Sequence, residues 1–186
     1  MLTINSLRDF LKIIQKYESP DRLMIFFDLD LTLIHENENG DDVLMEREET
    51  QELFKYLHEK DIWYTFCTAR YYDIILNNKK RKEYIDEISN NIEKLYEIFE
   101  DLDIDCKEHK GSNSDEIVLK KNNKPVGVLY KGILLGDKKG PIIKQFREKY
   151  NLEADYPQVI FIDDFDKYLQ SVTQHVPGCL IIKRLS

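Results

Sequence analysis

The stretch "MIFFDLDLTLI" (residues 24–34) runs four apolar residues into Asp28-Leu29-Asp30 and then returns to apolar chain. Such a run predicts a buried strand over 24–28. Ionised carboxylates are seldom buried unless they are paired or bind a metal. Two acids at the end of a core strand therefore call for a cation. A lone D-x-D reads equally well as a helix cap or a surface salt bridge, so the rest of the chain must decide between these readings.

Upstream, "MLTINSLRDFLKIIQKYES" predicts an amphipathic helix that starts after Ser6, a good N-cap, and ends before Pro20. Leu7, Phe10, Leu11 and Ile14 share its apolar face. Downstream, "LTLIHENENGDDVLMERE" carries Asn39-Gly40 between two strand-like arms and predicts a hairpin or flap. Residues 50–60 read as a helix, 62–67 ("IWYTFC") as a second strand, and Ile85, Ile88, Ile92, Leu95 and Phe99 as the face of a long helix. "GSNSDE" (111–116) reads as a loop, and the segment after it as a hairpin turning at Asn122-Asn123. A helix is expected from about Pro141. Another buried strand, 158–163, ends in Asp163-Asp164; a short helix and a last strand, 179–184, close the chain. Alternating strands and helices predict an α/β fold with a mainly parallel sheet.

The 186 residues contain no repeat, low-complexity tract or dividing linker, so one domain over 1–186 is expected. The composition, 42% hydrophobic and 33% charged, is that of a globular protein. A formal net charge of −8 argues against nucleic-acid binding as the main activity. No apolar run approaches the roughly 18 residues of a membrane span. Cys67, Cys106 and Cys179 are odd in number and widely spaced, which fits reduced thiols in the cytoplasm and no zinc site. His35, His58, His109 and His175 show no ligand spacing.

In open α/β sheets the ligand site lies beyond the carboxyl ends of the strands. Three predicted strands end there in polar groups: Asp28 and Asp30, then Thr68, then Asp163 and Asp164, with lysines at 138 and 139 before the last. This ordered set resembles the haloacid dehalogenase superfamily of Mg²⁺-dependent phosphotransferases. "FFDLDLT" matches its first motif, "YTFCT" its second at Thr68, "DKKGPIIKQF" its third through Lys139 with Lys138 as rival, and "VIFIDD" its fourth. The motifs span residues 24–164 in the family's order.

The resemblance implies a Rossmann-like core, with the first two motifs and the flap in 24–68 and a small cap-like hairpin within 111–136. It leaves no room for a large cap domain. It implies Asp28 as nucleophile, forming an aspartyl-phosphate, and Asp30 as general acid and base. Thr68 would bind the phosphoryl oxygens and Lys139 would neutralise Asp28 and the transferring group. Mg²⁺ would be held by Asp28, the Asp30 carbonyl and Asp164, with Asp163 behind them or paired with the lysine. Arg70, in "CTAR", reads either as a contact to phosphate or substrate or as a surface ion pair. "KKRK" (79–82) reads as a solvated face or, alternatively, as a guide for an anionic partner.

Within the superfamily, "GILLGDKKGPIIKQF" followed by "VIFIDDFDKYLQSV" resembles a bacterial branch that includes effectors delivered into host cells, phosphotyrosine phosphatases among them. A phosphorylated protein is then the expected substrate, with a small phosphorylated metabolite or nucleotide as the alternative. A phospho-receiver module also uses strand-end acids, a threonine and a lysine, but places the acid pair early. A non-catalytic phospho-ligand binder is the third reading. The acids of the flap (Glu36, Glu38, Asp41, Asp42, Glu46, Glu48 and Glu49) would repel free anionic metabolites.

Overall fold

A computed structural model describes residues 1–104, 106 and 116–185. The predicted loop at 111–116 lies outside the described residues except for Glu116, and so does His109. The chain begins with β1 (Leu2–Ile4) and α1 (Leu7–Ile14), then a 3₁₀ turn leads into β2 (Leu23–Phe27). A hairpin follows, β3 (Ile34–Glu36) and β4 (Asp42–Leu44), then α2 (Arg47–Glu59) and β5 (Trp63–Thr68). Next come α3 (Tyr72–Ile75), α4 (Asn78–Glu100), β6 (Ile117–Lys121), β7 (Lys124–Tyr130) and β8 (Ile133–Leu135). The chain closes with α5 (Lys139–Lys149), β9 (Gln158–Asp163), α6 (Asp166–His175) and β10 (Leu180–Arg184).

Eight strands form one sheet in the order β1-β10-β9-β2-β5-β8-β7-β6. The first six run parallel; β7 is antiparallel to β8, and β6 to β7. This is the mixed, mostly parallel sheet that the alternation of elements predicts. The hairpin of β6 and β7 lies in the sheet as its edge. Asn122 and Asn123 turn it, both at positive φ (51° and 60°), as a two-residue hairpin turn requires.

Strands buried on both faces read as continuous apolar runs because successive side chains serve opposite layers. Phe27 packs with Phe54 of α2, Tyr64 and the α1 face; Phe26 packs with Trp63 and with Phe146 of α5. Helices α1, α2 and α4 cover one face of the sheet, and α5 and α6 the other.

Three sequence readings need correction. β1 and β8, each three residues long, are absent from the sequence reading, because so short a run carries no period. They become strands by pairing with β10 and β5. The basic run at 79–82 is not wholly a solvated face. Arg81 is buried; its Nη1 donates to the Ile75 carbonyl (2.8 Å), capping α3, and its Nε pairs with Glu116 (2.7 Å).

Candidate functional site at the carboxyl ends of the central strands

β2 lies between β9 and β5, where the chain switches from one side of the sheet to the other. Its Phe27 pairs with Ile162 of β9 and Phe66 of β5, so Asp28, Asp163 and Cys67 come to one level. The Asp28 amide extends the ladder by donating to the Ile162 carbonyl (3.0 Å). Asp28 is two residues on from Phe26, and Asp163 two on from Phe161. By strand parity both carboxylates therefore point toward the layer of α5 and α6.

Lys139, the first residue of α5, meets them there. It is fully buried; Nζ donates to Asp28 Oδ1 and, at 2.7 Å, to Asp163 Oδ2. Lys138, its rival in the sequence, is exposed. The second oxygen of Asp163 accepts from the Phe165 amide (2.8 Å), which fixes that carboxylate. Asp28 is 4% exposed, and its Oδ2 accepts from the Thr32 hydroxyl (3.4 Å). The turn beyond β2 is locked by the Leu29 carbonyl, which accepts from the amides of Thr32, Leu33 and Ile34. This turn holds Leu31 at a left-handed φ of 57°.

Asp28, Asp163 and Asp164 each offer an oxygen, and these atoms all lie within 4.8 Å of one another. One lysine cannot offset three carboxylates. Burial pushes the Asp28 carboxyl up, to about 7, although the Lys139 ammonium pulls the other way. Burial likewise raises Asp163 and Asp164. A cluster of hard oxygen donors with surplus negative charge suits Mg²⁺, and Asp164 makes no competing contact with the lysine.

Raised carboxyls have a consequence for the metal-free chain. The folded state then binds more protons than the unfolded one near neutrality. The associated stability is complete below the ordinary carboxylate range and is lost as pH rises through the folded values. In chelator, the wild type should lose stability relative to Asp28→Asn between about pH 4 and about pH 7, by up to about 1.4 kcal/mol per pH unit. Denaturant melts at several pH values test this; parallel curves for the two proteins would contradict it.

Thr68, at the end of β5, is buried, and its Oγ1 accepts from the Arg70 amide (3.1 Å). Asp30 is not one of the three clustered acids, though its charge helps to raise Asp28 and Asp164. Arg70 grips its carboxylate through Nε (3.0 Å) and Nη2 (2.5 Å) and holds Asp42 of the flap through Nη1 (2.6 Å) and Nη2 (2.8 Å). The guanidinium is thus committed to two carboxylates. Beside it opens a cleft of about 640 Å³ between the β3-β4 flap and α4, walled by Asp30, Glu36, Asp41, Asp42, Tyr71 and Lys94 among others.

Three residues that shape the site have no signal in the sequence: Asp137, Gly140 and Tyr168. Asp42 lay within a run of flap acids that offered no way to single it out. Gly140 has a steric reason that only the fold reveals: a Cβ there would lie 2.2 Å from the Ser171 carbonyl oxygen of α6. Gly140→Ala should push α5 from α6 and cost roughly 1–3 kcal/mol, the usual penalty for overpacking. It should also displace the adjacent Lys139. A chemical melt reads the first effect; an unchanged midpoint would mean that α6 yields at no cost.

No family model and no curated protein matches the chain. Two solved structures are similar to it. One is the N-terminal part of protein BF1531 from Bacteroides fragilis, described as containing a phosphatase domain complexed with Mg. Identity is 20% and the TM-score 0.46, over 94% of this chain and 39% of that one. The other is the hypothetical protein XCC2798 from Xanthomonas campestris, at 17% identity and a TM-score of 0.43, over 89% of this chain and 66% of that one. The chain therefore spans less than two thirds of the length of either.

Proposed function

We propose that this chain is a Mg²⁺-dependent phosphatase of the haloacid dehalogenase type. It would hydrolyse a phosphate monoester through an aspartyl-phosphate on Asp28. The observation that carries the reading is the central strand end, where a buried Asp28 is clasped by a buried Lys139 with Asp163 and Asp164 alongside.

Phosphate monoesters resist attack because nucleophile and phosphoryl oxygens repel each other. Asp28 supplies the attacking carboxylate, splitting one hard displacement into two easier ones. Lys139 sets a fixed positive charge against that carboxylate, in a site that needs no reorganisation as charge develops. The Thr68 hydroxyl, at the neighbouring strand end, donates to the phosphoryl oxygens. Asp30, once its carboxylate turns from Arg70 toward the leaving oxygen, protonates that oxygen and later takes a proton from the hydrolytic water. Asp163 keeps Lys139 in place. Mg²⁺, held by Asp28, Asp164 and the Asp30 carbonyl, would offset the charge of the phosphoryl oxygens.

For substrate, we favour a phosphorylated side chain on a protein, phosphotyrosine first. Between Asp30 and Thr68 the chain builds only the flap and α2. Between Thr68 and Lys139 the described residues build α3, α4 and strands of the sheet, and none of them forms a large cap. The acidic lining of the cleft repels a second anionic group. Cys67, Cys106 and Cys179 are in no disulfide, which suits a reducing compartment such as the cytoplasm. No helix among the described residues is long and apolar enough to cross a membrane.

Assays with and without Mg²⁺ on a phosphotyrosine peptide, a sugar phosphate and a nucleotide test the reading. The peptide should lead in kcat/KM by about tenfold or more, roughly 1.4 kcal/mol of transition-state binding. A tenfold lead for either small metabolite would overturn the substrate class, and no metal-dependent turnover on any of them would overturn the activity.

A further inference from the structure

We propose that Tyr168 is a positioning residue for Lys139, its ring aiming the ammonium at Asp28 and Asp163. The proposal rests on the reading of Lys139 as part of a phosphatase site. An ammonium has three donor protons in a rotor with no preferred direction of its own. Two are directed at Asp28 Oδ1 and Asp163 Oδ2. Lys139 is 0% exposed, so bulk water does not satisfy the rest of the charge. Two rings face it: Tyr168 of α6, with its centroid 4.2 Å from Nζ, and more distantly Phe161 of β9, at 5.9 Å. A cation over an aromatic face is held more firmly as the pair leaves water; here the ammonium is buried and the Tyr168 ring half-buried.

The ring is itself fixed. Its hydroxyl donates to Asp137 Oδ1 (3.0 Å), and Asp137 also pairs with Lys167 (3.0 Å). The ring of Phe165 meets it edge-on at 5.4 Å. Asp137 lies two residues before Lys139 in the turn that enters α5. Tyr168 thus contacts that turn twice, at the carboxylate by its hydroxyl and at the ammonium by its face. Without the ring, the ammonium can drop one carboxylate or admit water, and the charge opposite Asp28 is no longer fixed.

The test compares Tyr168→Phe, which keeps the ring and drops the hydroxyl, with Tyr168→Leu, which removes the ring. Steady-state kinetics with Mg²⁺ and an activated aryl phosphate should show kcat for Tyr168→Leu down by about tenfold. This is the ratio that corresponds to a half-desolvated cation–π contact of roughly 1.4 kcal/mol. KM should stay within about twofold, because ground-state binding is untouched. Tyr168→Phe should stay within about threefold of wild type in kcat. If Tyr168→Leu does not fold, Tyr168→Met takes its place with the same expectation.

A second readout needs no turnover. In chain carrying ¹³C-lysine, the Lys139 ε-methylene protons should be shifted upfield by the ring in wild type and in Tyr168→Phe, and move clearly downfield in Tyr168→Leu, where only the more distant Phe161 ring remains. Equal kcat in wild type and Tyr168→Leu, or equal losses in Tyr168→Phe and Tyr168→Leu, overturns the proposal, and so does a Lys139 signal that ignores the ring. A wild type without Mg²⁺-dependent turnover would reject the phosphatase reading instead, and the methylene shift would then judge Tyr168 alone.

Discussion

Asp28→Asn should abolish turnover with the fold kept. An amide has nearly the shape of a carboxylate but carries no charge and cannot attack phosphorus, so only the residual activity of the surrounding groups remains. Loss of the nucleophile in a covalent mechanism costs on the order of 10⁴–10⁶-fold in kcat. The variant still accepts the Lys139 hydrogen bond through its amide oxygen, and the Asp28 backbone amide still bonds the Ile162 carbonyl. The charge on Lys139 keeps Asp163 as partner. Kinetics and a melt on the same preparation therefore separate the chemistry from the fold. Wild-type kcat in a folded Asp28→Asn protein would remove Asp28 from the covalent role.

Lys139→Ala should damage both activity and stability. Its ammonium is buried against two carboxylates, and removing it leaves Asp28 and Asp163 facing each other in a dry site. Breaking a buried pair from one side costs about 3–5 kcal/mol, because the charge left behind has no partner. Loss of one electrostatic partner of the transition state should lower kcat by about 10²–10³-fold. Lys138→Ala, on the exposed neighbour, should change neither by more than a small factor. A crippled Lys138→Ala beside a healthy Lys139→Ala would invert the assignment. Added Mg²⁺ should restore part of the stability lost in Lys139→Ala, since a divalent cation can offset the same carboxylates.

The strand ends were legible from sequence for a physical reason. Met24–Phe27 is apolar at every position because both faces of β2 are covered, so an acid in that run announces the end of the strand. The same logic placed Asp163 and Thr68, and strand parity turned spacing into direction. Gly40 and the Asn122-Asn123 pair marked their hairpins because the turns need positive φ. β1 and β8 stayed hidden, since three residues have no period and their strand character comes from their neighbours. From sequence, Arg70 reads either as a substrate contact or as a surface ion pair. The fold brings it to Asp30 and Asp42, the latter 28 residues upstream, a pairing with no local signature. Tyr168 and Asp137 were silent for the same reason. Their importance lies in contacts between α6 and the turn before α5, 31 residues apart in sequence.

The central claim is that Asp28 carries the phosphoryl group. The most direct measurement is to quench the enzyme in acid during turnover with Mg²⁺, reduce it with borohydride, and map the products by mass spectrometry. An aspartyl-phosphate is reduced under these conditions to homoserine, whereas a free carboxylate is not. Homoserine at position 28, absent without substrate, is the predicted result. An unmodified Asp28 in an enzyme that is turning over, or homoserine at Asp30, Asp163 or Asp164 instead, would contradict it.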